Sequence, residues 1–419
     1  SRLPAFCPFR EVVLRNMPPK AFSKSLKSAN CVTGQTRDLD LEDEPAPAPK
    51  GKRRAAAKAK VTPQKRPATA DAPRSKRKAA QPVAEEAAEA EAEEPSEKKA
   101  RTKKPKPEGP YTCFKEQGSI PEPKLRKIVE TVPKGRTRLG VLCWNVGGLR
   151  AFVKDDAKKA NFQTAIEQAN PDVVGLLEHK LQEGDKEGAI DALLEALPGY
   201  EVGAINYSTA KKGYSGALML LRKGLNVIKV TPEDLPSAAD EGRMVVAEFE
   251  ELFVVLCYVP NSGDGLKRLS ERLEKWDVQL RERLAELGGG KKKKAVLLIG
   301  DLNVAHQDKD IWNVEAPHVP KSAGTTPQER ESFAKLLQSG FVDGFSRSNP
   351  EALGAFTFWS VRAGNRKTNR GLRLDYVLAS KNMVAESADY KGPLLVDTFH
   401  LPGLAPQGDH CPVGAVVAL

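Results

Sequence analysis

The sequence has 419 residues, and its 66 Lys and Arg against 55 Asp and Glu give a formal net charge of +11, which favours an anionic partner. Its six cysteines show no CxxC spacing, which argues against structural zinc and a disulfide framework and favours a reducing compartment. No apolar run approaches the ~20 residues that a membrane-spanning helix needs.

The first part of the chain, residues 1–110, is predicted to be a disordered tail. It is rich in Ala, Pro, Lys and Glu and poor in aromatic and β-branched residues, so it cannot bury enough apolar surface to fold. Besides an acidic block at 85–97, it carries basic clusters at 50–54, 65–66, 74–78 and 98–106. Such clusters indicate nuclear localisation or a nucleic-acid tether, the alternative being a merely solvated tail. We expect a nuclear protein, with an organellar transit peptide in the basic residues 1–16 as the alternative.

A linker and lead-in at 111–136 precede one large predicted domain, residues 137–419, which holds all four tryptophans. Apolar runs with β-branched enrichment predict strands at 139–146, 173–178, 217–221, 245–249, 253–259, 295–299, 374–378 and 413–419. Helical patterns fall at 154–168, 188–197, 265–287 and 327–337. Many strands with few intervening helices predict an α/β domain with mixed sheets, and no GxGxxG follows the first strand, which excludes a Rossmann domain. The lysine run at 291–294 indicates an exposed loop.

Polar side chains gather at the predicted strand ends. A carboxylate and a carboxamide, Asp301 and Asn303, follow the strand at 295–299, and residues two apart on a strand point to the same face. The other members of the set are Asn145, Glu178, Tyr258, Asn261, Arg373, Asp375, Asp409 and His410. Each alone has a structural explanation, such as capping a turn. Together, at the mouths of neighbouring strands, they predict a catalytic rim.

Metal-assisted hydrolysis of a phosphodiester is the chemistry that suits this rim. Carboxylate and carboxamide oxygens are hard ligands that favour Mg²⁺, or Mn²⁺, and Glu178 and Asp409 are the natural metal carboxylates. Asp301, held by Asn303 and Asn261, is predicted to orient or deprotonate the attacking water.

Two further residues are predicted to act on the phosphate. His410, with its other ring nitrogen held by Asp375, would donate to a phosphoryl oxygen. Tyr258 would donate to the phosphate or to the leaving oxygen.

Nine motifs resemble the exonuclease III family of apurinic/apyrimidinic (AP) endonucleases. They are WNVGGLR at 144–150, LLEHK at 176–180, KGYSGALML at 212–220, YVPNSG at 258–263, GDLNVAH at 300–306, TPQER at 326–330, FTFW at 356–359, GLRLDYVL at 371–378 and GDHCPV at 408–413. The resemblance implies a four-layer α/β sandwich, two packed mixed sheets flanked by helices. It also implies Mg²⁺-dependent cleavage 5′ to an abasic site in double-stranded DNA, leaving a 3′-hydroxyl, with 3′-phosphodiesterase or 3′–5′ exonuclease side activity. A monomer that works beside other base-excision-repair proteins is expected.

Carried over position by position, the resemblance gives each residue a role. The implied catalytic residues are Tyr258, Asn261, Asp301, Asn303, Asp375 and His410. The implied metal-site residues are Asn145, Glu178, Asp301, Asn303, Asp409 and His410. The implied substrate-binding residues are Tyr214, Phe358, Arg366, Leu372, Arg373 and Leu374, with Phe358 and Leu374 walling the pocket for the flipped-out, baseless sugar. Further basic residues at 362, 367 and 370 would grip phosphates.

The chain departs from the family's pattern at three positions. Gly147 stands where the family has Asp or Asn, which predicts altered metal affinity. Leu372 replaces an aromatic residue of the abasic pocket, and Asp264 stands where some relatives insert a basic residue into the duplex.

Two rival functions stay open. One is an enzyme of the same fold acting on another phosphate ester, and the other is a non-catalytic DNA-binding protein whose site has decayed.

Overall fold

A computed structural model describes residues 120–291, 293–385, 390–406 and 408–419. The predicted tail at 1–110 lies outside the described residues. The first strand begins at Arg138, and the bounds of the predicted 137–419 domain stay a prediction.

Two mixed sheets form the centre of the molecule. The strands of the described residues are β1 (Arg138–Asn145), β2 (Val173–Leu177), β3 (Tyr200–Asn206), β4 (Ala217–Arg222), β5 (Lys229–Glu233), β6 (Met244–Glu248), β7 (Leu252–Tyr258), β8 (Ala295–Asp301), β9 (Phe341–Asp343), β10 (Asp375–Ser380), β11 (Leu394–His400) and β12 (Val413–Ala418). One six-stranded sheet has the order β11-β12-β1-β2-β4-β3, and the other has the order β5-β6-β7-β8-β10-β9. β1 runs parallel to β2 and β7 runs parallel to β8, while the other pairings are antiparallel.

Helices cover the outer face of each sheet. Their bounds are α1 (Leu149–Lys154), α2 (Asp156–Ala169), α3 (Lys186–Ala196), α4 (Leu269–Glu271), α5 (Asp277–Gly289), α6 (Pro327–Gln338) and α7 (Gly344–Ser348). α1, α2 and α3 bury residues such as Phe162 against the first sheet, and α5 and α6 bury residues such as Leu284 against the second. A third apolar cluster, which includes Met219 and Leu256, fills the space between the sheets. The predicted four-layer sandwich is therefore confirmed.

Local sequence explains where two helices begin. α6 starts as predicted: the Thr326 side chain accepts from the Glu329 N–H, the Glu329 carboxylate accepts from the Thr326 N–H, and Pro327 occupies the first turn. α2 starts after Asp155, whose carboxylate accepts from the Lys158 N–H. None of the helices in the described residues combines the length and apolar character that crossing a membrane requires.

The predicted helix at 265–287 is not continuous. A 3₁₀ turn at Asp264–Leu266 is followed by α4, by a π-helical turn at Arg272–Trp276, and then by α5. Gly265 inside the first turn has a φ of 64°, which a continuing α-helix cannot accommodate. The π-helical turn places Arg272 and Trp276 in the interior, where both side chains are buried.

Candidate active site

The predicted rim residues meet at one end of the sandwich. In the parallel β7–β8 pair, Tyr258 lies opposite Asp301, and in the antiparallel β8–β10 pair Asp375 lies opposite Asp301. Asn145 ends β1, and His410 precedes β12, which pairs with β1. The carboxyl ends of the parallel strands and the amino ends of their antiparallel neighbours thus supply the site.

Asp301 and Asn303 are close neighbours, but not through strand alternation. β8 ends at Asp301, and Asn303 has left-handed backbone geometry with a φ of 49°. The backbone N–H of Asn303 donates to Asp301 Oδ1 at 2.9 Å, whereas its side chain donates to Val259 O at 2.9 Å. Asn261 Nδ2 donates to Asn303 Oδ1 at 2.8 Å. Asn261 therefore holds the Asn303 carboxamide, and its connection to Asp301 runs through Asn303.

Asp301, His410 and Asp375 form a buried charged group. His410 Nδ1 lies 2.8 Å from Asp375 Oδ2, as predicted, and His410 Nε2 lies 3.6 Å from Asp301 Oδ2. Burial alone would lower the pKa of His410, but the carboxylates of Asp375 and Asp301 reverse this effect and raise it. Burial also raises the pKa of Asp301 above its usual range, despite the opposing charge of His410. His410 is thus a cation at neutral pH, and Asp301 is a carboxyl group poised to exchange a proton.

Glu178 lies just after β2, in left-handed geometry with a φ of 53°. Asn145 Nδ2 donates to Glu178 Oε1 at 3.0 Å and to Asp301 Oδ2 at 3.1 Å, so one carboxamide joins the two carboxylates. Lys180 Nζ lies 2.9 Å from Glu178 Oε2 and donates to Gly147 O at 3.0 Å. Burial would raise the pKa of Glu178, but the hydrogen bond from Asn145 and the charge of Lys180 lower it to about 2.

Tyr258 remains a hydroxyl donor in the site. Burial raises the pKa of Tyr258 well above its usual value, and the charges of Glu178 and Asp301 add to the rise. Arg243, only 1% exposed, donates to Tyr258 O at 3.0 Å, and its guanidinium lies 4.6 Å from the centre of the Tyr258 ring. Arg243 therefore holds both the backbone and the ring of Tyr258 at the end of β7.

Tyr214 lies in the same network. Its hydroxyl donates to Glu241 at 3.1 Å and accepts from Arg243 at 2.7 Å and from Arg268 at 2.9 Å. The hydroxyl is therefore used inside the protein, and contact of Tyr214 with a substrate stays a prediction.

An open cavity of about 740 Å³ lies next to Phe358, a neighbour of His410, and none of the rim residues lines it. Phe358 and Leu372, two of the predicted pocket residues, line it together with Trp312, and the Phe358 ring centre is 5.0 Å from that of His410. Leu374 is 5% exposed and belongs to the buried cluster against which Phe358 and Leu372 pack. The predicted wall is present, with Leu374 as its support rather than its surface.

The structure contradicts the predicted substrate contact of Arg373, whereas that of Arg366 stays a prediction. Arg373 is 2% exposed, and its guanidinium is 2.8 Å from Asp310 and 2.8 Å from Asp343, so it is an internal ion-pair residue. Arg366 pairs with Glu122, donates to Pro402 O at 2.7 Å and stacks on Trp359. Both guanidinium groups therefore hold the protein's own loops.

The donor atoms fit a hard divalent cation. Ligand atoms of Asp301, Asp375 and His410 lie within 4.8 Å of one another, so a buried acidic and histidine group can hold a metal ion. The raised pKa of His410 favours a hydrogen-bond donor, and its role as a metal residue stays a prediction. The Asn303 carboxamide oxygen accepts from Asn261, as the Asn145 carboxamide oxygen accepts from the Gly147 N–H, and each keeps a second lone pair.

The predicted oxygen ligands are those of the Glu178, Asp301 and Asp409 carboxylates and of the Asn145 and Asn303 carboxamides. Glu178 is anionic, as its lowered pKa indicates, and the Asn145 amide that links it to Asp301 brings two acids to one place. A β-carbon added at Gly147 would lie 3.7 Å from Asp409 Oδ1, which places position 147 beside the third acid. Several oxygen donors with net negative charge fit such an ion.

Sequence reasoning missed three residues of the site: Lys180, Arg243 and Arg268. Lys180 stands within the LLEHK motif, two residues after Glu178, and the sequence offers that proximity as its signal. No motif in the sequence singles out Arg243 or Arg268. Only their contacts in the folded protein, with Tyr258 and Tyr214, show that they belong to the site.

Comparison with known proteins agrees with this arrangement. The model of the endonuclease/exonuclease/phosphatase family matches residues 142–401, and the chain belongs to this family. An exodeoxyribonuclease of Bacillus subtilis is 36% identical over 281 residues, which are 66% of this chain and 98% of the relative. The DNA repair nuclease APEX1 of Danio rerio is 35% identical over 306 residues, 71% of this chain and 90% of the relative.

Comparison with solved structures also finds a protein of similar fold. The crystal structure of the AP endonuclease LMAP from Leishmania major has a TM-score of 0.60 and 29% sequence identity, and the match covers 74% of this chain and 96% of that one. The resemblance inferred from the motifs is therefore confirmed, as is the fold that it implied.

Proposed function

We propose that this chain is a DNA-repair AP endonuclease that hydrolyses the phosphodiester bond 5′ to an abasic site. The observation that carries the proposal is the Asp375–His410–Asp301 group: a buried cation beside a carboxyl group of raised pKa, in contact with Phe358, which lines an open cavity. A cation for the phosphate, an acceptor for the proton of water and a pocket for a baseless sugar are the parts that this reaction needs. The named relatives, a DNA repair nuclease and an AP endonuclease, support the same substrate.

In the proposed reaction, Asp301 acts on the attacking water. Its carboxylate accepts the proton of the water, while the Asn303 N–H on Oδ1 and the Asn145 carboxamide on Oδ2 fix its orientation. The water oxygen bonds to phosphorus while the bond from phosphorus to the 3′ oxygen breaks. His410 donates a hydrogen bond to a phosphoryl oxygen, and Asp375 keeps its ring oriented and charged. Tyr258, which retains its proton, is the donor for the departing oxygen.

We further propose Mg²⁺ as the cofactor, held by Glu178, Asp409 and Asp301 with the Asn145 carboxamide. When bound, the ion neutralises charge on a phosphate oxygen and on the leaving oxygen. The ammonium group of Lys180 forms an ion pair with the Glu178 carboxylate and so holds that side chain in position.

Substrate class is tested by a direct comparison. Purified protein with Mg²⁺ is given a duplex that contains one tetrahydrofuran abasic analogue and, separately, a soluble inositol polyphosphate. We expect nicking of the duplex and no release of phosphate from the inositol compound. The reverse pattern would assign the site to the other phosphate esters that this fold accepts.

Activity at DNA 3′ ends is proposed as a side reaction. The cavity that Phe358 and Leu372 line is open, so a terminal 3′ group can enter without being flipped from a duplex interior. A duplex with a recessed 3′-phosphoglycolate end should be processed more slowly than the abasic duplex, and no processing at all would remove this side activity.

A nuclear location is proposed from the basic clusters of residues 1–110, with an organelle as the alternative. A fluorescent protein fused to residues 1–110 should accumulate in nuclei. The same fusion with the clusters at 74–78 and 98–106 changed to alanine should not, and unchanged accumulation would contradict the assignment.

A further inference from the structure

Glu329 accepts more hydrogen bonds than its role as a helix cap requires. Its Oε2 accepts from the N–H and hydroxyl of Thr326, at 3.1 and 2.7 Å, and from the Gly324 N–H at 2.8 Å. Its Oε1 faces the opposite way and accepts from Ser262 Oγ at 2.5 Å and from Arg272 Nη1 at 3.1 Å. The carboxylate is fully buried, with 0% of the side chain exposed. One oxygen therefore caps α6, and the other binds two elements that lead to the active site.

Arg272 carries this connection to Asn303. It is 2% exposed and stands in the π-helical turn, from which Nη2 donates to Leu302 O and Nη1 donates to Asn303 O, each at 2.7 Å. In a planar trans peptide the C=O of Leu302 and the N–H of Asn303 belong to one rigid unit and point in opposite directions. Arg272 thus holds the oxygen of the peptide whose N–H donates to Asp301 Oδ1.

Arg272 binds the backbone at a residue with an unfavourable conformation. Asn303 has a φ of 49°, a conformation that costs free energy for a residue with a side chain and that persists only when its surroundings enforce it. Arg272 fixes the peptide units on both sides of this residue. Ser262, next to Asn261, is fixed by the same Glu329 oxygen, and Asn261 holds the Asn303 carboxamide.

We propose that the buried Glu329–Arg272 pair positions the catalytic turn: by fixing both peptides of Asn303 and the Asn261 loop, it sets the orientation of Asp301. The inference rests on the proposed function, because the turn matters only if Asp301 acts on a substrate. Glu329 and Arg272 touch no substrate in this account, so they are positioning residues. A pair that only stabilised the fold would not need to bind the carbonyl oxygens of both Leu302 and Asn303.

The test is Arg272→Lys, assayed on the abasic duplex with Mg²⁺. An ammonium group keeps the charge beside Glu329 but cannot reach two carbonyls in a fork. We expect kcat to fall about 10- to 100-fold, the penalty of a misplaced catalytic group. KM and the Kd for uncleaved duplex should stay within about twofold, because no contact with DNA is lost.

The matched control is Lys294→Met. Lys294 is also a buried cation that binds a carboxylate, Glu248 at 2.6 Å, and a carbonyl, Phe249 O at 2.7 Å, but it lies at the opposite end of β8. It should lower the free energy of unfolding and leave kcat unchanged. An equal loss of kcat in both variants, or an unchanged kcat in Arg272→Lys, would overturn the proposal.

A double-mutant cycle separates positioning from general damage. In an Asp301→Asn background, Arg272→Lys should lower the single-turnover rate much less than in the wild type, because the carboxylate that Arg272 positions is already absent. The same factor in both backgrounds would contradict the proposal.

A milder variant applies if Arg272→Lys does not fold. Ser262→Ala removes one hydrogen bond to Glu329 and should lower kcat about fivefold at unchanged KM, whereas an unchanged kcat overturns the inference. If the wild type does not cleave the duplex, the proposed function fails and the inference fails with it. Cleavage by the wild type with unaltered variants removes the inference alone.

Discussion

At the scale of single residues, the site depends on pairs whose members change each other's chemistry. His410 is charged because Asp375 lies 2.8 Å from it, and Glu178 is an anion because Asn145 and Lys180 hold it. Gly147 contributes no side chain to the site: it lies beside Asp409 and has a φ of 61°. Two predictions belong to this scale.

Gly147→Asp should increase the affinity for Mg²⁺. The new carboxylate would lie beside Asp409 and add a charged oxygen to the proposed metal site, and Asp tolerates left-handed geometry better than most residues. We expect the Mg²⁺ concentration that gives half-maximal nicking to fall roughly three- to tenfold, and direct titration of Mg²⁺ binding by tryptophan fluorescence to shift likewise. Gly147→Asn is the control for shape without charge, and an equal shift in both variants would contradict the electrostatic explanation.

Asp375→Asn should make the reaction sensitive to alkali. The charge of Asp375 raises the pKa of His410, so its removal lets that pKa fall towards the usual value of about 6.5. The imidazolium is then lost as the pH rises from 6 to 8, a range in which the wild type keeps it. The ratio of variant to wild-type rate on the abasic duplex should decline across this range. A ratio independent of pH would show that Asp375 acts through something other than the charge of His410.

At the scale of elements, the sequence predicted the interior strands and missed the edges. The strands it missed in the described sheets are β3, β5, β9 and β11, and these are the outermost strands of the two sheets. β5 contains Pro232, β3 and β11 carry register shifts, and β9 has three residues. Edge strands are short, bulged or interrupted by proline, so they lack the continuous apolar run that identifies an interior strand.

The same limit explains the site residues that sequence reasoning misplaced. Asp301, Asp375 and His410 follow from strand ends, because interior strands fix where they lie. Arg373 looks like a rim residue in sequence, and only the packing of Asp310 and Asp343 around it shows that it is internal. Lys294 belongs to a lysine run that indicates an exposed loop, yet it is 8% exposed because Glu248 and Phe249 O bind its ammonium group.

A pair of glycine substitutions tests the closeness of β7 and β8 beside the site. Gly300→Ala should lower the free energy of unfolding by at least about 2 kcal/mol, because its β-carbon would lie 1.9 Å from Cys257 O and Gly300 has a φ of 152°. Gly288→Ala in α5 meets only ordinary contacts, at 3.6 Å or more, and should stabilise the protein by up to about 1 kcal/mol. Chemical denaturation measures both, and similar values for the two variants would refute the close approach.

At the scale of the whole molecule, the sandwich buries ionisable groups outside the catalytic group. His400 is 4% exposed and stacks on Phe345, with ring centres 3.6 Å apart. Burial lowers the pKa of His400 to about 3, and the charge of Arg373 adds to the effect. The folded protein therefore resists protonation at a position where the unfolded chain accepts a proton.

This buried histidine predicts a loss of stability in acid. Between the unfolded pKa of about 6.5 and the folded value of about 3, the unfolded state binds more protons, so stability falls as the pH falls, by about 1.4 kcal/mol per pH unit for one group. His400→Phe keeps the stack on Phe345 but does not titrate. The wild type should lose about 2 kcal/mol more than this variant between pH 8 and pH 5. Parallel pH profiles of the two proteins would contradict the assignment.

The central claim is that Asp301 serves the cleavage of DNA 5′ to an abasic site, and one gel assay tests it. A 5′-labelled duplex with a single tetrahydrofuran residue is incubated with Mg²⁺ and either wild-type protein or Asp301→Asn. The account predicts one nick immediately 5′ to the lesion, with a 3′-hydroxyl that a DNA polymerase extends, and a rate at least about 100-fold lower for the variant. A wild-type rate equal to that of Asp301→Asn, or a nick on the other side of the lesion, would contradict it.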